Sequence, residues 1–97
     1  MVVMAFYVYI ATNKPDGVLY TGMTDDLNRR MWEHREHMRR GFTDKYNCEI
    51  LVWFEVHETR ESAFTRERQI KEWKRDWKLR LVNEMNTDWR DLADGLI

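Results

Sequence analysis

The sequence predicts an α+β domain in which a three-stranded, mostly antiparallel sheet is flanked by helices, in the order β-β-α-β-α-α. Three observations lead to this prediction. A cluster of turn-forming residues at 13–17 separates two short apolar segments. Apolar residues recur at helical spacing in two later segments. A near-continuous apolar run at 49–56 is typical of a central strand buried on both faces. At 97 residues the chain is expected to form a single domain, 1–97.

The first two strands are predicted to form a hairpin. Residues 13–17 (Asn-Lys-Pro-Asp-Gly) combine the residue types that favour turns, and Gly17 is expected to supply a positive φ. With a loop of four residues, Thr12 lies opposite Gly17, and the same register places Tyr9 opposite Tyr20. Opposite side chains on one face are ~5 Å apart. The sequence therefore predicts two neighbouring phenols.

The first helix is predicted from an N-cap among residues 24–26 to Arg40, with Gly41 as the stop. Its buried stripe at helical spacing is expected to contain Leu27, Met31, His34 and Met38.

Two further helices are predicted after the third strand. Thr59 can cap a helix that runs to about Lys74, and another is expected at 77–85. Residues 89–96 are predicted to form a short final turn that packs an aromatic side chain onto the body of the domain.

Composition excludes several classes of protein. Hydrophobic residues make up 43% of the chain, so a disordered protein is excluded. Cys48 is the single cysteine, which excludes an internal disulfide and favours a reducing, cytoplasmic location. No apolar run is long enough to span a membrane, so no membrane partner is expected. The sequence also shows no zinc-ligand spacing and no glycine-rich phosphate loop.

The net charge of −1 conceals an uneven distribution. Residues 60–80 contain eight Lys or Arg and four acids, a local charge of +4. This asymmetry is what a nucleic-acid-binding face would produce, although a solvated helix produces it as well. The candidates for contacts to backbone phosphates are Arg66, Lys71, Lys74, Arg75 and Lys78.

Glu67 is the most informative single residue. It lies in an apolar stripe formed by Ala63, Ile70, Trp73 and Trp77. A carboxylate that faces a core needs an ion pair, hydrogen bonds or a bound cation. Two interpretations remain open at this point, a structural salt bridge and a ligand for a hard cation. Mg²⁺ commonly uses one or two protein carboxylates together with water and phosphate oxygens.

Arg30 and His34 are four residues apart and so share one face of the first helix. The guanidinium could clamp a phosphate, and the imidazole could accept a proton from a phenol or water. A purely structural role for both, in an arginine-rich helix, is the alternative. For Tyr9 and Tyr20 the alternative is ordinary stabilisation of a hairpin by paired aromatics.

Together these residues resemble the GIY-YIG nuclease superfamily. Tyr7-Val8-Tyr9 is similar to its first signature and Tyr20-Thr21-Gly22 to its second. Arg30 follows Tyr20 by ten residues, as the catalytic arginine of the family does, and His34 matches a histidine found in many members. The segment 63–73 resembles the stretch that carries the family's metal-binding glutamate. The departures are Tyr7 in place of glycine and Thr21 in place of an aliphatic residue.

The resemblance implies a metal-dependent endonuclease that hydrolyses DNA, with RNA as the alternative substrate. It implies one Mg²⁺ or Mn²⁺ ion held by Glu67, and either tyrosine as the group that takes the proton of the attacking water. The family's late asparagine matches Asn86, with Asn83 as the competitor. The catalytic set implied is Tyr9, Tyr20, Arg30, His34, Glu67 and Asn86. Specificity is expected for single strands or particular DNA structures, or from a protein partner.

Two other functions remain open from the sequence. A module of the same fold could bind nucleic acid without turnover, and its binding would then survive chelation of metal ions. Alternatively, the tryptophan-rich C-terminal half could bind a protein, with Trp89 as an aromatic anchor.

Overall fold

The structure, a computed structural model, describes residues 4–38, 41 and 45–95. Three strands form one antiparallel sheet with the spatial order β2-β1-β3. They are β1 (Phe6–Thr12), β2 (Leu19–Thr24) and β3 (Ile50–His57). The predicted α+β class with a three-stranded antiparallel sheet is confirmed.

Helices cover both faces of this sheet. They are α1 (Leu27–Arg35), α2 (Arg60–Glu72) and α3 (Arg75–Met85), followed by a 3₁₀ helix, Leu92–Gly95. Among the described residues, no helix is both long and apolar enough to cross a membrane.

The central strand is β1, and the prediction of a central strand at 49–56 was wrong. Strand β1 pairs with both neighbours, whereas β3 lies at an edge of the sheet. Burial in β3 is confined to Leu51, Val52 and Trp53, and Val56 is exposed. A run of apolar residues indicates that both faces of a strand are covered. It does not indicate whether the strand is hydrogen-bonded to a neighbouring strand on both of its edges.

The hairpin register differs from the predicted one by two residues. Tyr9 lies opposite Gly22, and Tyr20 lies opposite Ala11. The loop has six residues because the Asn13 side chain accepts a hydrogen bond from the Val18 amide, at 2.9 Å. Because the shift is an even number of residues, both tyrosines stay on one face of the sheet.

Within this loop the left-handed conformation falls on Asp16, with φ 57°, and not on Gly17 as predicted. Gly17 is needed for another reason. A Cβ atom at this position would lie 2.9 Å from the carbonyl oxygen of Lys14. The Gly17 amide donates to that same oxygen at 2.9 Å, which keeps the two segments close together.

The two faces of β1 bury different sets of side chains. Phe6, Val8 and Ile10 form one core with the helices α2 and α3, which contribute Ala63, Ile70 and Val82. Tyr9 and Ala11, on the other face, pack against Leu27 and Met31 of α1. The alternation of side chains along a strand thus separates the core around Phe6, Val8 and Ile10 from a face that carries tyrosine.

Helix α1 is shorter than predicted. Asp26 caps its first turn by accepting from the Arg29 amide at 3.1 Å, but the helix ends at Arg35. His37 adopts a left-handed φ of 54°, and the Met38 amide closes the end by donating to the Glu33 carbonyl. Met38 is therefore exposed and not part of the buried stripe. The predicted end, at residue 40, lies outside the described residues.

Helix α2 begins as predicted, with the Thr59 hydroxyl accepting from the Ser62 amide at 3.1 Å. It ends at Glu72 because Trp73 and Lys74 are extended, with ψ values of 151°. Because of this break the chain changes direction, and Trp77 lies on α3 and not on the same helical stripe as Glu67. The predicted stripe through Trp77 was wrong, since that side chain is exposed.

The C-terminal segment is fastened to β3. A bulge between the partners of Ile10 and Ala11 leaves Val52 as an extra residue, and its carbonyl accepts from Nδ2 of Asn86 at 3.2 Å. Asp91 accepts from the Leu51 amide at 3.2 Å. Asp91 also pairs with Arg35 of α1 at 2.6 Å. These bonds tie the end of the chain to both the sheet and α1.

Cys48 is buried, and this burial raises the pKa of its thiol to about 11. At pH 8 the group is therefore a protonated thiol and a poor nucleophile. We expect a thiol reagent to label the folded protein far more slowly at pH 8 than the protein unfolded in denaturant. Rapid stoichiometric labelling of the folded chain, followed by absorbance of the released thiolate, would contradict this placement.

Candidate active site

Tyr9, Tyr20 and His34 form a compact aromatic cluster between the sheet and α1. The Tyr9 hydroxyl is hydrogen-bonded to Nε2 of His34 at 2.9 Å. The Tyr9 and Tyr20 ring centroids are 6.1 Å apart, and the Tyr20 and His34 centroids are 5.6 Å apart. The structure thus brings together two strand residues and one helix residue that the sequence analysis had singled out.

Gly22 makes this cluster sterically possible. It lies directly opposite Tyr9 in the ladder, and the Tyr9 ring crosses over it. A Cβ at position 22 would lie 2.7 Å from the Tyr9 hydroxyl oxygen and 2.9 Å from Cε1 of Tyr20. Because Gly22, the glycine of the second motif, has no side chain, both phenol rings can pack directly against its backbone.

Arg30 extends the cluster to the surface. Its Nη1 donates to the Met23 carbonyl at 3.3 Å, and its Nε donates to Glu33 at 3.2 Å. Burial opposes the charged form, but a hydrogen bond to Tyr9 and the charges of Tyr9, Glu33 and Tyr20 outweigh it, so the pKa of Arg30 is raised. The guanidinium remains a fixed positive charge beside the phenols.

Access to solvent differs within the cluster. Tyr9 is 0% exposed and His34 is 2% exposed, whereas Tyr20 and Arg30 are half-buried. Arg30 also lines an open cleft of about 460 Å³ together with Thr24, Asp25, Asp26, Arg29 and Glu33. A substrate phosphate could therefore reach Arg30 from this cleft, whereas Tyr9 and His34 are buried.

Glu67 lies on α2, whose buried residues Ala63 and Ile70 pack in the core with Val8 and Ile10 of β1. Its side chain is 12% exposed and pairs with Lys71 one turn later, at 3.5 Å. Among the described residues, no group of three or more His, Cys, Asp or Glu side chains could hold a metal ion. Any cation at Glu67 would thus have fewer than three such side chains as ligands among the described residues.

The five basic candidates have different surroundings. Arg66 is held by Glu55 of β3 at 3.1 Å, and Arg75 donates to the carbonyls of Asp16 and Gly17 at 2.8 and 2.7 Å. Lys71, Lys74 and Lys78 extend from α2 and the start of α3, and Nζ of Lys78 donates to the Lys71 carbonyl at 3.4 Å. Burial, followed by the charges of Arg75 and Lys71, lowers the pKa of Lys78, which reflects a concentration of positive charge.

Asn86 is placed as a connector of backbone segments. Its Nδ2 donates to the carbonyls of Val52 and Arg90, and its Oδ1 accepts from the Arg90 amide at 3.1 Å. Asn83, the alternative candidate, accepts a hydrogen bond from Nε1 of Trp89 at 2.6 Å. Trp89 is itself buried in the core, which confirms the predicted packing of an aromatic side chain from the final segment and leaves this ring unavailable as an anchor for a protein partner.

The sequence analysis missed a hydrogen-bonded chain of side chains centred on His57. Nδ1 of His57 is 2.5 Å from the Ser62 hydroxyl, and Nε2 of His57 is 2.7 Å from Glu55. Arg66 binds the same Glu55 carboxylate. This chain of side chains joins the end of β3 to the first turn of α2 and anchors that helix. The signal was the spacing of Glu55 and His57, which places both on one face of a strand.

The chain is similar to known proteins over most of its length. Residues 5–80 match the model of the GIY-YIG catalytic domain. UPF0213 proteins of Staphylococcus aureus strains N315 and MW2 are each 38% identical over 78 residues, which is 80% of this chain and 94% of theirs. The solution NMR structure of the UPF0213 protein BH0048 from Bacillus halodurans is similar with a TM-score of 0.54 and 29% identity. That alignment covers 91% of this chain and 93% of the other. The chain therefore belongs to the GIY-YIG family.

Proposed function

We propose that the protein is a metal-dependent endonuclease that hydrolyses phosphodiester bonds in DNA, with a preference for single-stranded or structured substrates. The observation that carries the proposal is the cluster in which the Arg30 guanidinium and the half-buried Tyr20 lie beside a buried Tyr9–His34 hydrogen bond. Membership of a family of nuclease domains supports the reaction type. RNA is the alternative substrate of the same chemistry.

Arg30 would bind the scissile phosphate. Its fork of donors suits two phosphate oxygens, and its charge would stabilise the negative charge that builds on them during attack. The contacts to Met23 and Glu33 hold the guanidinium in place before substrate arrives. Such preorganisation lowers the barrier because no reorientation is needed in the transition state.

Tyr20 would take the proton of the attacking water. It is the more accessible of the two phenols, and in its phenolate form it can accept that proton as the water oxygen bonds to phosphorus. One bridging P–O bond breaks, and the departing oxygen leaves with the electron pair. Tyr9 and His34 would hold the Tyr20 ring and Arg30 in the geometry that the attack requires.

Glu67 would hold the single Mg²⁺ or Mn²⁺ ion. The donor set fits a hard cation, since a largely buried carboxylate is present whose described partner is one lysine. A bound divalent ion supplies Lewis-acid stabilisation of phosphate oxygens. Asn86 would support the site indirectly, by fixing the bulge of β3 and the C-terminal segment.

Removing the Glu67 carboxylate tests the metal dependence. Glu67→Gln keeps the size of the side chain but loses the charge, so we expect cleavage of labelled oligonucleotides to fall by about 100-fold or more. Glu72→Gln, on the exposed surface of the same helix, is the matched control and should cut at the wild-type rate. Rates are measured with Mg²⁺, with Mn²⁺ and with chelator.

The outcomes separate the candidate functions. Cleavage that survives chelation, or that is equal in Glu67→Gln and wild type, would contradict the metal role. A wild-type protein that binds DNA equally with and without chelator, and never cuts it, would be a binding module of the same fold. A dependence on a second protein for substrate choice would appear as cleavage with little preference among single-stranded, duplex, flapped and branched DNA.

A further inference from the structure

A tryptophan pair at the junction of α2 and α3 is left unexplained by the proposed active site. Trp77 is 53% exposed, and its ring meets Trp73 edge-to-face, with centroids 5.8 Å apart and an interplanar angle of 70°. Trp73 is half-buried against the core, and the Arg66 guanidinium lies over its ring at 5.2 Å. Trp73 is thus held from two sides, and it in turn supports Trp77.

The surroundings of this pair are strongly basic. Residues 71–80 contain five Lys or Arg and two acids, a local charge of +3. The two rings line a cleft of about 180 Å³ with Arg80, Leu81 and Glu84. Nearby, Nζ of Lys78 donates to the Lys71 carbonyl at 3.4 Å. Burial, followed by the charges of Arg75 and Lys71, lowers the pKa of Lys78. Lys74 lies in the turn between the two tryptophans.

We propose that Trp77 is a base-stacking platform for single-stranded nucleic acid, with Lys71, Lys74 and Lys78 contacting the sugar–phosphate backbone. Aromatic rings beside a row of cations are the combination that single-stranded nucleic acid recognises, because unpaired bases stack on the rings while the phosphates meet the charges. In a duplex the base faces are already stacked, so Trp77 offers little to it. This inference rests on the proposed function in one respect, that nucleic acid is the substrate.

The position of the platform suits a strand that also reaches the tyrosine cluster. Arg75 binds the carbonyls of Asp16 and Gly17, so the start of α3 touches the end of the β1–β2 hairpin. Tyr20 follows Gly17 by three residues, a chain length of at most about 11 Å. A single strand that bends around this end of the hairpin could place one phosphate at Arg30 and a base at Trp77.

The test measures the affinity of fluorescently labelled oligonucleotides by anisotropy, in chelator so that nothing is cut. Trp77→Ala should bind single strands about 5- to 150-fold more weakly, as expected for the loss of one stacked base. Trp77→Phe should retain most of the affinity, and duplex binding should change little. Trp32→Ala is the matched control, since Trp32 on α1 is also 53% exposed but lies outside this basic cluster.

A second readout separates the platform from the chemistry. In the cleavage assay with Mg²⁺, Trp77→Ala should lose activity on single strands through a higher KM, whereas Arg30→Ala should lose it in kcat, because the tryptophan ring binds the strand without touching the reacting atoms. Unchanged single-strand affinity in Trp77→Ala, or an equal loss in Trp32→Ala, would overturn the proposal and leave this surface for a protein partner. If the wild type binds single strands through Trp77 but never cuts, the nuclease function fails while the platform stands.

Discussion

Replacing Arg30 with alanine is expected to lower the cleavage rate by about 100- to 1000-fold, the usual loss when one preorganised donor to a developing negative charge is removed. Arg30 is the only side chain of the cluster that combines a permanent positive charge with access to the cleft beside α1. The loss should appear in kcat at saturating substrate, because the guanidinium is needed most in the transition state.

Two further variants serve as controls for Arg30→Ala. Arg68→Ala removes an exposed arginine of α2, away from the cleft that Arg30 lines, and should leave the rate unchanged. Arg30→Lys keeps the positive charge but loses the fork of donors, so it should remain well below the wild type. Circular dichroism and unfolding curves establish that each variant folds, since Arg30 also binds the Met23 carbonyl of β2. A folded Arg30→Ala protein that cuts normally would remove Arg30 from the mechanism.

Substituting Gly22 with alanine is expected to have the largest structural effect at the site. The new methyl group would lie 2.7 to 2.9 Å from atoms of Tyr9 and Tyr20, well inside van der Waals contact. Tyr9 is fully buried and cannot move away freely, so its ring must tilt and disturb the hydrogen bond to His34. We expect a loss of about 1–3 kcal/mol in the free energy of unfolding, as for other overpacked sites.

The same displacement should reduce cleavage by about 100-fold, because small misplacements of reacting groups are costly. Urea unfolding and the cleavage assay are the two measurements. Gly95→Ala is the control, since a Cβ at that position has no atom within 4 Å. If Gly22→Ala is as stable and as active as the wild type, then the close packing of Tyr9 and Tyr20 against Gly22 is not required for folding or cleavage.

Much of this architecture was predictable because it depends on local patterns. The turn residues before Val18, the cap at Thr59 and the apolar run of β3 each act within a few positions of the chain, and each marked an element correctly. The spacing of Arg30 and His34 likewise placed both on one side of α1, and the helical spacing of His34 from Leu27 and Met31 predicted its burial.

Other features were not predictable because they depend on hydrogen bonds and contacts between distant segments. The end of α1 depends on the left-handed conformation of His37. The six-residue hairpin loop depends on the hydrogen bond that the Asn13 side chain accepts from the Val18 amide. The order of the strands in the sheet depends on which backbones pair with each other, and the hydrophobicity of a strand does not determine its pairing. The ion pair of Arg66 and the loop contacts of Arg75 also join segments far apart in sequence.

By itself, then, the sequence determined the α+β class, the order of the strands and helices, and the residues of the tyrosine cluster, because motif spacing and side-chain periodicity are properties of the local chain. Only the tertiary structure decided that Gly22 supports the Tyr9 ring, that Tyr20 and not Tyr9 reaches solvent, and that Trp77 stands exposed beside a basic cluster. Each of these depends on how separate elements pack, and packing between elements is not encoded in any short stretch of sequence.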